Sequence, residues 1–270
     1  MLPDNGKPIK EKRNLHMTLE ELTIILEHIK KRYAMRAYLA VIYQFAMGQR
    51  CSETLATNVA DFSGHFRKVD YRQAKTNKMI YDEPVPEALG KLIISFLVTN
   101  GHTCVDGHFF PRHVGKGPMN TETYNTMWCR WRKEIGKTRP EFLDKYPHYL
   151  YRCDLCRLKW SEEERRTDDI GTTCPRCKSV LRKEFKKWTY RVASHSLRRL
   201  HRTLLSDNHP DKLFLLSKLC HYEKFEKFET YVNQYKLMQQ RMEIIMPIIN
   251  PIVHQIMRMP KDQTKITSFV

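Results

Sequence analysis

The stretch Ser194-His195-Ser196-Leu197-Arg198-Arg199-Leu200-His201-Arg202 decides how this chain is read. At about 100° per residue, a helix carries Leu197, Leu200 and Leu204 along one side and His195, Arg198 and Arg202 along the other. A histidine and an arginine one turn apart can reach the same phosphate. Alone, the pattern also fits a solvated basic face, so its meaning depends on the rest of the chain.

Upstream, Thr18 to Glu21 spells a capping box, and Leu19, Leu22, Leu26 and Ile29 follow at helical spacing. Tyr38 to Met47 is apolar nearly all round and stops at Gly48, which predicts a buried helix ended by a glycine. Ser52 and Glu53 then open another helix, so Arg50 falls in a tight junction between two helices. From Phe66 to Pro86 the period shortens. Val69 and Tyr71 alternate with Lys68, Asp70 and Arg72, as in a half-buried strand, and Met79 to Val85 supplies a return strand. Lys75-Thr76-Asn77-Lys78 is the turn between them, so Lys75 is expected at a hairpin tip. Helical patterns resume at Pro86 to Leu97, at Glu122 to Ile135 and again from Ser194.

Between the last two lies a segment of different texture. Its cysteines read C-x2-C-x17-C-x2-C, namely Cys153, Cys156, Cys174 and Cys177, a spacing that suits a four-thiolate zinc site. Two such turns close a tetrahedron and leave no open position, so the Zn2+ would be structural. About forty residues bury too little to fold unaided, and metal binding would supply the missing stability. Arg152, Arg157, Lys159, Arg165, Arg166, Arg176, Lys178, Arg182 and Lys183 make this module basic and suited to tracking a DNA backbone.

Composition agrees with a nucleic-acid partner. The 270 residues carry 47 Lys plus Arg against 30 Asp plus Glu, a net charge of +17, and 41% are hydrophobic. That is too apolar for disorder, and its field suits polyanions. Pro247 and Pro251 interrupt the longest apolar run, near Ile244 to Val253, so no membrane partner is expected. The basic N-terminal residues lack the apolar core of a signal peptide, which predicts a cytoplasmic protein. There, cysteines serve as metal ligands more often than as disulfides.

Five short boxes, in order, resemble the catalytic domain of the tyrosine recombinases, the phage-integrase family. Gly48, Arg50, Ser52 and Glu53 match its G-x-R-x-S-E turn, Lys75-Thr76 its hairpin lysine, and His195 and Arg198 its H-x-x-R helix. His221 matches the second histidine, and Tyr231 the tyrosine nucleophile. The resemblance covers about residues 17 to 240 apart from the cysteine-rich segment. Three features depart from the pattern. Cys220 stands where the family has glycine, the interval from His221 to Tyr231 is one residue longer than in the family pattern, and the cysteine-rich segment is not a general family feature. Tyr235 is the alternative nucleophile. The helical DNA-clamping domain that usually comes first in the family has no counterpart in the residues before Thr18.

The resemblance implies an α+β, mainly helical, tyrosine-recombinase catalytic fold with a small β-hairpin or sheet and an inserted four-cysteine zinc-ribbon-like module. Its expected divisions are a basic tether at 1–16, a first catalytic part at 17–147, the zinc-ribbon-like insertion at 148–187, a second catalytic part at 188–240, and a C-terminal helical segment and tail at 241–270. It implies cleavage and rejoining of double-stranded DNA by a homo-tetramer on two sites, through a 3′-phosphotyrosyl intermediate and without ATP or a catalytic cofactor. Arg50 and Arg198 would hold the phosphate, His195 would act as acid and base, His221 would donate to the phosphate, and Lys75 would protonate the departing 5′ oxygen. Ile244, Ile245, Ile248, Ile249, Ile252, Val253, Ile256 and Met257 offer an apolar surface, expected to dock on a neighbouring protomer. The alternatives are a non-catalytic zinc-containing DNA-binding protein, such as a degenerate integrase, and a type IB topoisomerase-like DNA relaxase.

Overall fold

The structure, a computed structural model, describes residues 17–113, 116–157, 159–161, 173–174, 176–209, 211 and 234–258. It is mixed α+β and mainly helical. Helix α1 (Leu19–Arg32) begins at the capping box: the Glu21 N–H donates to Thr18 Oγ1 at 3.2 Å, and the Thr18 N–H to Glu21 Oε2 at 2.8 Å. Helix α2 (Met35–Met47) is buried from Ala37 to Met47 on every side, as its all-round apolar pattern predicts. It forms the axis against which α1, α4 (Glu87–Asn100), α6 (Ser194–Asn208) and the C-terminal helix pack. Helix α5 (Thr121–Ile135) packs against α1 and buries Tyr124, Trp128 and Trp131, the two indoles 5.5 Å apart and edge-on. Each such side chain contributes about 1.5–3 kcal/mol on burial.

A short helix α3 (Cys51–Ala56) leads to a three-stranded antiparallel sheet of order β1-β2-β3, with β1 at Phe62–Ser63, β2 at Lys68–Arg72 and β3 at Met79–Pro84. The hairpin read from the sequence is β2 and β3. The edge strand β1, two residues long, is too short to carry a period and leaves no sign in the sequence.

A second sheet, of order β5-β4-β6, rises from the helical body. Strands β4 (Lys145–Cys153) and β6 (Leu181–Tyr190) pair from Lys145 opposite Tyr190 to Cys153 opposite Leu181, with one register shift between His148 and Tyr149, and β5 (Lys159–Ser161) lies outside β4. The stretch 148–187 thus falls within a ribbon bounded by 145 and 190. Its base is fastened to the helices. Arg191 Nη1 donates to Glu21 Oε2 at 2.7 Å, the buried Arg132 guanidinium stacks 3.5 Å from the Tyr190 ring centre, and Arg199 Nη1 donates to Tyr146 Oη at 2.8 Å.

Two expectations about helix faces change. In α6 the buried set is Ser194, Ser196, Leu197, Leu200, His201 and Leu205, so His201 belongs to the core face and Leu204 to its margin. In the C-terminal segment, α7 (Gln234–Ile244) and α8 (Met246–Arg258) fold back onto the same chain. Ile245, Ile249, Val253 and Ile256 are buried against α2, α4 and α6 rather than left for a neighbour. Pro247 falls in the first turn of α8, where a missing N–H costs nothing, and Pro251 is accommodated inside the helix. Among the described residues, no helix is long and apolar enough to cross a membrane.

Candidate active site and metal centre

Helix α2 ends because Gly48 adopts a left-handed conformation, φ +61°, which turns the chain sharply toward α3. Arg50 follows as the residue before that helix. Glu53, three residues on and almost fully buried, reaches back to it: Oε2 accepts the Arg50 backbone N–H at 2.7 Å and Oε1 accepts the guanidinium at 3.0 Å. The same Oε1 also accepts the Ala74 N–H at 3.1 Å. One buried carboxylate therefore fixes Arg50 and holds the turn that carries Lys75.

That turn is closed by its own backbone. The Gln73 N–H donates to Lys78 O at 2.8 Å, and the Asn77 N–H to Gln73 O at 2.9 Å. Thr76 Oγ1 adds a bond to Gln73 Oε1 at 2.7 Å, while Lys75 itself is exposed at the tip.

Helix α6 approaches the junction from the other side. Arg198 Nη1 donates to the Gly48 carbonyl at 2.5 Å, and His201 Nδ1 bonds the Phe45 carbonyl at 2.9 Å. Phe45 O is only an acceptor, so Nδ1 carries the proton. Burial, joined by the charges of Arg241, Arg198 and Arg202, pushes the His201 imidazole down to about 3. His201 is thus a neutral brace between α6 and α2. His195, one turn before Arg198, is exposed.

Tyr71 of β2 lies within this array. Its phenol is held well above the ordinary value, by burial first, then by Glu83 and Glu53, against the opposing charges of Arg241 and Arg198. Glu83 of β3 and Arg241 of α7 form a buried ion pair, which draws α7 against the sheet that carries Lys75. Sequence reading passed over Tyr71, Glu83, Arg241 and the bracing role of His201. The one available signal was the inward position of Tyr71 in the β2 alternation. Glu83 and Arg241 are 158 residues apart, and nothing local connects them.

Of the six residues singled out for catalysis, Arg50, Lys75, His195 and Arg198 lie on elements that meet at this junction. His221 and Tyr231 lie outside the described residues. Tyr235 falls in the first turn of α7.

The second centre is at the ribbon tip. The sulfurs of Cys153, Cys156, Cys174 and Cys177 all lie within 4.8 Å of one another, with Cys153 to Cys177 at 3.3 Å and Cys156 to Cys174 at 3.5 Å. Four thiolates about 2.3 Å from a zinc ion would stand about 3.8 Å apart, so the cluster fits a tetrahedral metal. The two cysteine turns share a backbone shape: the residue after each, Arg157 and Lys178, has a left-handed φ, +56° and +60°. The Cys156 N–H and the Ser179 hydroxyl, 3.0 Å from Cys153 Sγ, lower the Cys153 thiol to about 6 and favour the thiolate a metal needs. Among the described residues, Cys153, Cys174 and Leu181 form the buried cluster there, with Cys156 and Cys177 packed against it. The group could hold a metal ion such as zinc.

No protein-family model, curated protein or solved structure matches this chain.

Proposed function

We propose that this protein cleaves and rejoins double-stranded DNA as a tyrosine-type site-specific recombinase, with a structural Zn2+ in the ribbon. The observation that supports this reading is Glu53. It ties Arg50 of one box to the Lys75 turn of the second, while Arg198 of the third bonds the carbonyl of Gly48 in the first. Three boxes, the third more than a hundred residues beyond the other two, meet at one junction.

Arg50 and Arg198 bind the non-bridging oxygens of the scissile phosphate and offset the charge that builds in the pentacoordinate transition state. The Tyr231 phenol attacks phosphorus, His195 takes its proton, and His221 donates to a phosphate oxygen. The P–O5′ bond breaks, and Lys75 delivers a proton to the leaving oxygen. The product is a 3′-phosphotyrosyl ester that keeps the phosphodiester bond energy, so the released 5′ hydroxyl reverses the step without ATP. Strand exchange pairs two sites, hence a tetramer. Zinc, when bound by Cys153, Cys156, Cys174 and Cys177, closes the ribbon tip and takes no part in the reaction.

A nicked suicide substrate tests this. Wild type should form a covalent protein–DNA band, and Tyr231→Phe should bind the same DNA without forming it. Covalent attachment that persists in Tyr231→Phe and vanishes in Tyr235→Phe moves the nucleophile to Tyr235. DNA binding without any covalent product favours the non-catalytic reading, and relaxation of supercoiled plasmid without strand exchange favours the topoisomerase-like one.

A further inference from the structure

One face of the ribbon carries a stripe of aromatic rings and lysines that no step above uses. A β-bulge between His148 and Tyr149 shifts the register of β4 on β6. In a regular strand, residues three apart point to opposite faces. Here the bulge brings Phe185 and Trp188 to the same face, with ring centres 5.6 Å apart. Both stand in solvent, Phe185 53% and Trp188 49% exposed. Lys145 Nζ lies 5.1 Å from the Trp188 ring centre, and Lys183, opposite Tyr151 in register, lies 5.7 Å from the Tyr151 ring. The nearest carboxylate along β6, Glu184, alternates to the other face, where it pairs with Arg182 at 3.5 Å.

We propose that this face binds unpaired nucleotides of DNA, stacking bases on Trp188 and Phe185 while Lys145 and Lys183 take the phosphates. Flat rings in water between ammonium groups match a single strand, whose bases have free faces and whose backbone is anionic. A duplex hides its base faces, and its phosphates need cations rather than rings. A protein partner fits less well, because the cores of protein interfaces are depleted in lysine. The proposal rests on the DNA-binding part of the proposed function and not on its chemistry. Its place beside α6, fixed by the Arg199–Tyr146 bond, would put the stripe near strands opened during cleavage.

The test uses the full chain loaded with zinc, a labelled single-stranded oligonucleotide of about ten nucleotides, and a duplex of the same sequence. Fluorescence anisotropy gives both affinities, and Trp188 emission reports stacking. The double variant Phe185→Ala/Trp188→Ala should lose about tenfold or more in single-strand affinity, while duplex affinity changes by less than about twofold. Trp188→Phe should keep most of the single-strand affinity. Lys145→Gln/Lys183→Gln should reduce its salt dependence. Both aromatic side chains are exposed, so unchanged metal content and circular dichroism are expected of each variant. Equal loss on both substrates, no loss on either, or no binding of the oligonucleotide by wild type overturns the proposal. Single-strand binding by a protein that never forms a covalent product would leave the stripe standing and sink the recombinase reading.

Discussion

Glu53 binds Arg50 twice, through the guanidinium at 3.0 Å and the backbone N–H at 2.7 Å, and its Oε1 also accepts the Ala74 N–H at 3.1 Å. A buried carboxylate shared in this way positions its partners rather than reacting. Glu53→Gln keeps the shape but loses the charge and one acceptor, so Arg50 and the Lys75 turn should both loosen. Covalent-complex formation should fall by about tenfold or more while DNA affinity stays near wild type. An equal loss of binding and cleavage would count against a positioning role.

Gly48 meets two demands at once. Its φ of +61° lies in the left-handed region, and a Cβ there would stand 2.7 Å from His201 Cδ2 and 2.9 Å from Nε2. Gly48→Ala should therefore cost more than about 2 kcal/mol, since left-handed backbone alone costs about 1–2 kcal/mol for other residues. In urea unfolding, adding His201→Ala should make the pair less destabilised than the sum of the single changes, because the smaller side chain removes the collision.

His201 also sets a pH dependence with a definite sign. Its imidazole is lowered to about 3 in the folded protein, chiefly by burial, whereas the unfolded chain protonates near the ordinary 6.5. The unfolded state binds the extra proton, so this group removes stability as pH falls below about 6.5, at up to about 1.4 kcal/mol per unit, and is silent above it. Denaturation at pH 7 and pH 5 should show a smaller loss in His201→Gln than in wild type.

Much of this was legible beforehand for physical reasons. The Thr18 capping box, the all-round apolar α2 and the Gly48 stop are local signals, and each forms as read. The paired cysteine turns are equally local, and their sulfurs come together. What escaped depends on distant partners. The helical period favours Leu204 over Leu205 for the apolar side, and only packing in the folded chain decides that His201 and Leu205 face inward. The α8 isoleucines read as a free apolar surface because the sequence does not reveal which neighbour covers them. The Glu83–Arg241 pair needs β3 and α7 already in place.

At the ribbon tip, Arg157 and Lys178 hold left-handed φ values of +56° and +60° without being glycine. Each carries a backbone cost that glycine would relieve. Arg157→Gly and Lys178→Gly should each make the metal harder to strip, seen as slower zinc release to a chelator. Cys153→Ser/Cys177→Ser should bind no zinc and melt the ribbon while the helical body keeps its circular dichroism.

The C-terminal segment gives the sharpest contrast between two ways of using one sequence. Ile249 and Val253 of α8 are fully buried in the chain's own core, and Asn250 Oδ1 accepts the Ala88 N–H at 2.9 Å. That bond supplies from another helix the N-terminal cap that Pro86 cannot give α4. If α8 belongs to its own protomer, Ile249→Ala should lower stability by about 2–5 kcal/mol. Asn250→Ala should cost about 0.5–2 kcal/mol. Both losses should be independent of protein concentration, and deletion from Pro247 onward should leave a chain that no longer unfolds cooperatively. If instead the helix docks on a neighbour, Ile249→Ala should leave the isolated monomer unchanged and weaken only assembly on DNA. Urea melts of Ile249→Ala at two protein concentrations, with and without DNA, separate the two outcomes.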